Sequence, residues 1–211
     1  MHALRDRGLH HGKNRVCRLM RQESLHVRQK RRFVPRTTKV DKSRAPSPNL
    51  LRETAAPSRP NQAWVTDITY VPTAEGWLYV AAEMDLFSRR IIGWEAGPSL
   101  ATELPASALQ RALAARRGAD LGALLHHSDR GCQYTSHAFR HQLQEHDITQ
   151  SMSRAGNCYD NAAIESFWAT LKAECFGGAI PATRAQARAM IFDYIETFYN
   201  PKRKHSSLGL R

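Results

Sequence analysis

Trp64-Val-Thr-Asp67-Ile-Thr-Tyr-Val71 sets β-branched and aromatic residues around one carboxylate, and its reading decides the fold. Residues of this kind favour an extended strand. Asp67 sits mid-strand with apolar neighbours on both sides, a costly place for a charge unless something pairs it. Working outward, a turn from Pro72 to Gly76 leads to a second strand over Trp77–Met84, and Arg89–Glu95 makes a third. A helix over 102–116 ends near Gly118. Leu121–His127 reads as a buried fourth strand, Ser136–Glu145 as a helix with Ser136 at its N-cap, and Ile148–Met152 as a short fifth strand. Residues 153–159 read as a loop, and helices follow over 160–174 and 184–199. Three strands in a meander, then alternating helix and strand, predict an α/β fold: a mixed sheet flanked by helices.

Upstream of Trp64 the character is different. Residues 1–50 hold 14 Lys and Arg against 3 Asp and Glu, whereas residues 51–211 hold 17 against 16. A near-neutral domain behind a cationic arm points to a polyanionic partner, and nucleic acid is favoured over a solvated tail. Val16, Cys17, Leu19 and Met20 form a short apolar stripe, flanked by Arg15 and Arg18 as candidate DNA contacts. The reading is a partial helical, helix-turn-helix-like arm over 1–25 and a basic Pro-rich linker over 26–60. A catalytic core with a basic tail follows over 61–211. No run approaches the roughly 18 apolar residues of a membrane span, and no signal peptide is evident. The four cysteines lack a CxxC pair and suit reduced thiols. The expectation is a cytoplasmic, nucleoid-associated protein with no membrane partner.

Metal-assisted chemistry on DNA phosphodiesters needs carboxylates converging on ions about 3.5–4 Å apart, and magnesium favours hard oxygen ligands. Asp129 follows directly on the buried fourth strand, where α/β sheets tend to place ligand sites. Glu165 lies on the helix beginning near Asp160. At 100° per residue, Ile164, Phe167, Trp168 and Leu171 share its apolar side, while Asn161, Glu165 and Lys172 fall within about 40° of one another on a neighbouring stripe. Lys172 is therefore placed to hold a phosphate beside Glu165; taken alone, the stripe is also what a solvated face looks like. Glu174 points away. Asp160 reads as a helix N-cap, and Glu83 and Asp85 as structural acids closing the second strand. His126 and His127 lack the partners of a zinc site, and no GxSxG elbow or activated cysteine supports nucleophilic catalysis.

Several motifs then resemble one family together. Trp64-Val-Thr-Asp67, Asp85-Leu-Phe-Ser-Arg89, His127-Ser-Asp129-Arg-Gly, Gln133-Tyr-Thr-Ser and Asp160-Asn-Ala-Ala-Ile-Glu165 are similar to the integrase core of OrfB-type transposases from bacterial insertion sequences. So are Lys172 and Tyr199-Asn-Pro-Lys-Arg203-Lys-His205. Between Asp129 and Glu165 lie 35 residues, as in the DD(35)E group shared with retroviral integrases.

The resemblance implies a ribonuclease H-like fold, with Asp67, Asp129 and Glu165 as catalytic metal ligands for Mg2+, for which Mn2+ substitutes. It implies DNA contacts at Lys172, Asn161, Arg203 and His205. The implied reaction is cleavage at element ends followed by strand transfer. The implied partners are terminal-repeat and target DNA, other copies of the chain on that DNA, and an upstream-frame DNA-binding protein or fusion partner. Arg7-Gly-Leu through Arg18-Leu-Met20 resembles only the last part of the family's helical DNA-binding region, and a Pro-containing tail is missing. The chain is therefore expected to be a shortened copy. A non-catalytic relic or inhibitor, or a nuclease on the same fold, stands as the alternative.

Overall fold

The computed structural model describes residues 8, 10–23, 25, 45–154, 161–205 and 208–209. The chain divides into two compact units, Met1–Thr37 and Thr38–Arg211. In the first, helix α1 spans Lys13–Gln22 and buries no side chain. Arg15 and Arg18 are exposed on it, while Val16 and Cys17 are half-covered. Most of the basic stretch over 26–44, and the proposed cap Asp160, lie outside the described residues.

The second unit is built on one sheet in the order β3-β2-β1-β4-β5. β1 (Ala63–Thr73), β2 (Gly76–Asp85) and β3 (Ile91–Gly97) form the antiparallel meander. β4 (Leu125–Ser128) and β5 (Thr149–Met152) run parallel to β1. Helices α2 (Glu103–Ala115) and α3 (His137–Gln144) separate these strands in the chain, and α4 (Ala162–Glu174) and α5 (Arg184–Asp193) follow. β1 is central, which is why its apolar run shows no polar face: one side packs on helices α4 and α5, the other on α2 and α3. On the first side Val65, Val71, Val80 and Met84 meet Ile164, Phe167, Leu171 and Ile191. On the second, Trp64 and Ile92 meet Leu109, Tyr134, Phe139 and Leu143.

Local chemistry accounts for the boundaries. Ser136 caps α3, its hydroxyl accepting from Phe139 N at 3.2 Å, as its residue type predicts. At Gly93 a Cβ would stand 2.4 Å from the Ala108 carbonyl oxygen, so only glycine lets α2 lie this close to β3.

Three expectations differ in detail. The fourth strand was expected from Leu121, but Leu121–Leu124 close a turn (Leu124 N to Leu121 O, 2.9 Å) and pairing starts at Leu125, which donates to Gln62 O at 3.0 Å. Leu124 is fully buried, with its N–H in that turn and its carbonyl accepting from Thr149 N at 3.0 Å; the apolar run before it records burial rather than strand. The last helix, expected to 199, becomes a π-helix over Tyr194–Tyr199. Its wider turn brings the Tyr194 and Tyr199 rings to 6.0 Å on one buried side. Within the stretch expected as linker, residues 47–51 bond to β5. Ser47 Oγ donates to Gln150 at 2.8 Å, Leu50 N to Ser151 Oγ at 3.0 Å, and Met152 N to Pro48 O at 3.2 Å. An edge strand with open backbone groups recruits the chain that precedes it.

Candidate active site

Two of the three acids reach their places through sheet register. β1 and β4 pair in parallel with Val65 opposite His127, and Asp67 and Asp129 each lie two residues further along. Side chains repeat every second residue, so both acids fall on the side of Val65, facing α4. From that helix Trp168 Nε1 donates to Asp67 Oδ2 at 3.1 Å, and Glu165 stands one turn earlier, exposed. Asp67 registers this company directly. Its pKa rises from 3.8 to about 7, first through burial, then through the negative charges of Asp129 and Glu165. The loop after β4 fixes Asp129: Gly131 N donates to its Oδ1 at 2.9 Å. A Cβ at Gly131 would press to 3.0 Å on that same oxygen. Among the described residues no group of three His, Cys, Asp or Glu side chains is already gathered as a metal cage. Asp67 and the two acids whose charges reach it offer hard oxygen donors, the ligand type a divalent cation such as magnesium takes.

The helix stripe is divided. Ile164, Phe167, Trp168 and Leu171 are buried. Glu165 is exposed and Lys172 half-exposed, with Lys172 Nζ 5.1 Å from the Tyr70 ring centroid. Asn161 is buried, its Nδ2 donating to Thr66 O at 3.3 Å, which ties the start of α4 to β1. Glu174 does point away: Arg203 Nη2 reaches it at 3.0 Å and the Tyr194 hydroxyl at 2.7 Å. His205 packs edge-on to Tyr199 at 5.0 Å. Burial, then the charges of Arg203 and Arg89, hold its pKa below the usual value. Arg203 and His205 thus form part of a packed corner, and Arg203 is already ion-paired.

Two models described as integrase core domain match residues 57–158 and 146–211. The chain is 43% identical over 206 residues to the 31 kDa protein of insertion element IS600 from Shigella sonnei, covering 98% of this chain and 75% of that one. It is 41% identical over 206 residues to transposase InsF for insertion sequence IS3A of Escherichia coli strain K12, covering 98% and 70%. The chain belongs to the insertion-sequence transposases with an integrase core. Its fold is ribonuclease H-like, shared with the catalytic core domain of BIV integrase at TM-score 0.50 and 17% identity over 69% of this chain and 87% of that one. It is an enzyme of the polynucleotidyl-transferase type, and no helix among its described residues is long and apolar enough to cross a membrane.

The transposase uses its other buried acids as structure. Asp85 accepts from Asn61 N at 2.7 Å and from Ser88 N and Oγ at 2.7 and 2.8 Å, closing the turn after β2. Glu83 Oε2 lies 2.9 Å from His126 Nε2, both side chains fully buried on the far side of the sheet. Asn200, within the C-terminal motif, holds the start of β3: its amide accepts from Ile91 N and donates to Ile91 O, each at 2.9 Å. Sequence reasoning missed two residues that touch the site. Trp168 was read only as core, yet its indole N–H meets Asp67. Tyr134, quoted only as part of a motif, is buried with its hydroxyl 3.3 Å from Thr66 Oγ1. Burial, then the charges of Asp67 and Asp129, hold its pKa well above the usual value. An indole or phenol that must find a polar partner when buried was the signal available.

Proposed function

We propose that Asp67, Asp129 and Glu165 hold magnesium for cleavage at insertion-element ends and for strand transfer into target DNA. One observation carries the reading. Asp67, inside the sheet, feels the charges of two further acids and, among the described residues, is answered by one side-chain donor and the Ile68 N–H. A folded protein tolerates such an arrangement where a cation completes it. A pair of bound ions would activate the attacking oxygen and stabilise the leaving one. The chain's own part is positional. Gly131 N and Trp168 Nε1 orient the carboxylates of Asp129 and Asp67, and α4 presents Glu165. Lys172 is placed to neutralise a phosphate beside it. Manganese should substitute for magnesium.

By this reading the first unit and its basic stretch provide non-specific DNA affinity, with Arg15 and Arg18 on phosphates. Asn161 acts through the start of α4 rather than on DNA. Other copies of the chain and an upstream-frame DNA-binding protein assemble with it on element ends. A ribonuclease H-like nuclease drawing on Glu83 and Asp85 is disfavoured, since His126 and the β2 turn already engage them. The test is an assay on labelled element ends and a pre-cut end with magnesium, with and without the upstream protein. Cleavage plus joining supports the reading; cutting without joining replaces it with the nuclease.

A further inference from the structure

Behind α4 lies a pocket of about 350 Å³ lined on one side by Arg89, Tyr199, Arg203 and His205 and on the other by Ser166 and Thr170. Arg89 is its unusual member. It sits in the left-handed backbone region at φ 61°, a conformation that is strained for a non-glycine residue. Its Nε is buried with no hydrogen-bond partner among the described residues, although a buried guanidinium donor is expensive to leave unpaired. The carboxylates Asp85 and Glu174 are engaged elsewhere, the first by the turn and the second by Arg203 and Tyr194. The charges of Arg89 and Arg203 both act on Tyr199 and on His205; Glu174 already pairs with Arg203, so Arg89 is the cation with a donor still to give. On the helix side, Ser166 and Thr170 lie about 100–140° round α4 from Glu165. Together with Ala162 and Ala163 they keep that face shallow enough for a nucleic-acid backbone to lie against it.

We propose that this pocket holds a backbone phosphate of DNA, with Arg89 as its main donor, on the flank of α4 away from Asp67. The site would anchor the strand one helix-width from the acids, so that phosphate contacts on both flanks of α4 fix the DNA across Glu165. The proposal rests on the transposase reading only for the identity of the polyanion.

Its test compares the full chain with Arg89→Asn, because asparagine tolerates a positive φ. Arg117→Asn, exposed at the end of α2, is the control for general charge. Binding to a duplex is measured across a salt series, with thermal melting alongside. The expected result for Arg89→Asn is a dissociation constant about tenfold weaker and a slope of log K against log salt shallower by about 0.9, with Arg117→Asn near wild type. Should Arg89→Asn melt early, Arg89→Lys serves in its place: it keeps the charge and should keep the slope while losing part of the affinity. An Arg89→Asn slope equal to wild type, or an equal loss with Arg117→Asn, would overturn the site while leaving the transposase reading intact. A wild-type chain that fails to bind duplex at all would sink both.

Discussion

Asp85 and Asp67 are acids of neighbouring strands, and they are treated in opposite ways. Asp85 receives three hydrogen bonds from the turn it closes. Among the described residues Asp67 receives one side-chain donor, Trp168, and one backbone N–H, that of Ile68, and it feels the charges of Asp129 and Glu165. The first environment stabilises a carboxylate by itself; the second stabilises it only when something positive arrives. An acid surrounded by N–H and O–H donors belongs to the fold, whereas a half-buried one beside other acids is a candidate site.

The sharpest way to break this contrast is to remove charge at nearly constant shape. Glu165→Gln should reduce magnesium-dependent cleavage of element ends about a thousandfold or more, since charge stabilisation is the largest catalytic contribution in such sites. Duplex affinity should stay within a few-fold of wild type. Glu174→Gln, which loosens only the pair with Arg203, should leave cleavage nearly unchanged. Equal losses from both would show that the helix face was misassigned.

Asp85→Ala should do the reverse. Buried donors are left unpaired in the turn, so urea unfolding should show a loss of about 3 kcal/mol, with activity per folded molecule retained.

A subtler effect concerns pH. The folded pKa of Asp67, about 7, lies above its ordinary 3.8. Below pH 4 the group is protonated in both states and costs nothing. Between pH 4 and 7 the unfolded chain releases the proton while the folded chain keeps it, so stability falls by a few kcal/mol as pH rises. Above pH 7 the loss is complete. Asp67→Asn should remove this fall in metal-free protein, and magnesium should flatten it in the wild type. Unfolding curves at pH 5 and pH 8, with magnesium or with a chelator, provide the check. A wild-type stability difference matched by Asp67→Asn would show that Asp67 is not the strained acid.

The smallest effect should come from the Glu174–Arg203 pair itself. It is partly exposed, with side-chain exposures of 38% and 25%, so Glu174→Gln should change stability by less than about 1 kcal/mol.

Much of this arrangement was legible in the residue order. The β-branched and aromatic residues of Trp64–Val71 mark a strand, and the spacing of Ile164, Phe167, Trp168 and Leu171 marks the buried side of α4. From that side alone follows the separation of Glu165 from Glu174. Ser136 announces the start of α3 by its side chain. Each of these readings depends on neighbours within one or two turns, and short-range sterics and hydrogen bonding decide them. The family motifs extended the same reading to the acid triad.

What local sequence cannot encode is which distant group answers which. Asp67 and Asp85 are both strand acids, and the difference between them is made by residues 61, 88, 129, 165 and 168, assembled through sheet register and helix packing. The same holds for Leu124, whose N–H closes a turn while its carbonyl meets Thr149, for the π turn that aligns Tyr194 with Tyr199, and for residues 47–51 bonded to β5. The sequence by itself determined the elements and the acids available. Only the tertiary structure decided which acids would be satisfied by donors and which would be left facing one another. A carboxylate's environment is set by atoms close in space, and burial makes every one of those contacts count.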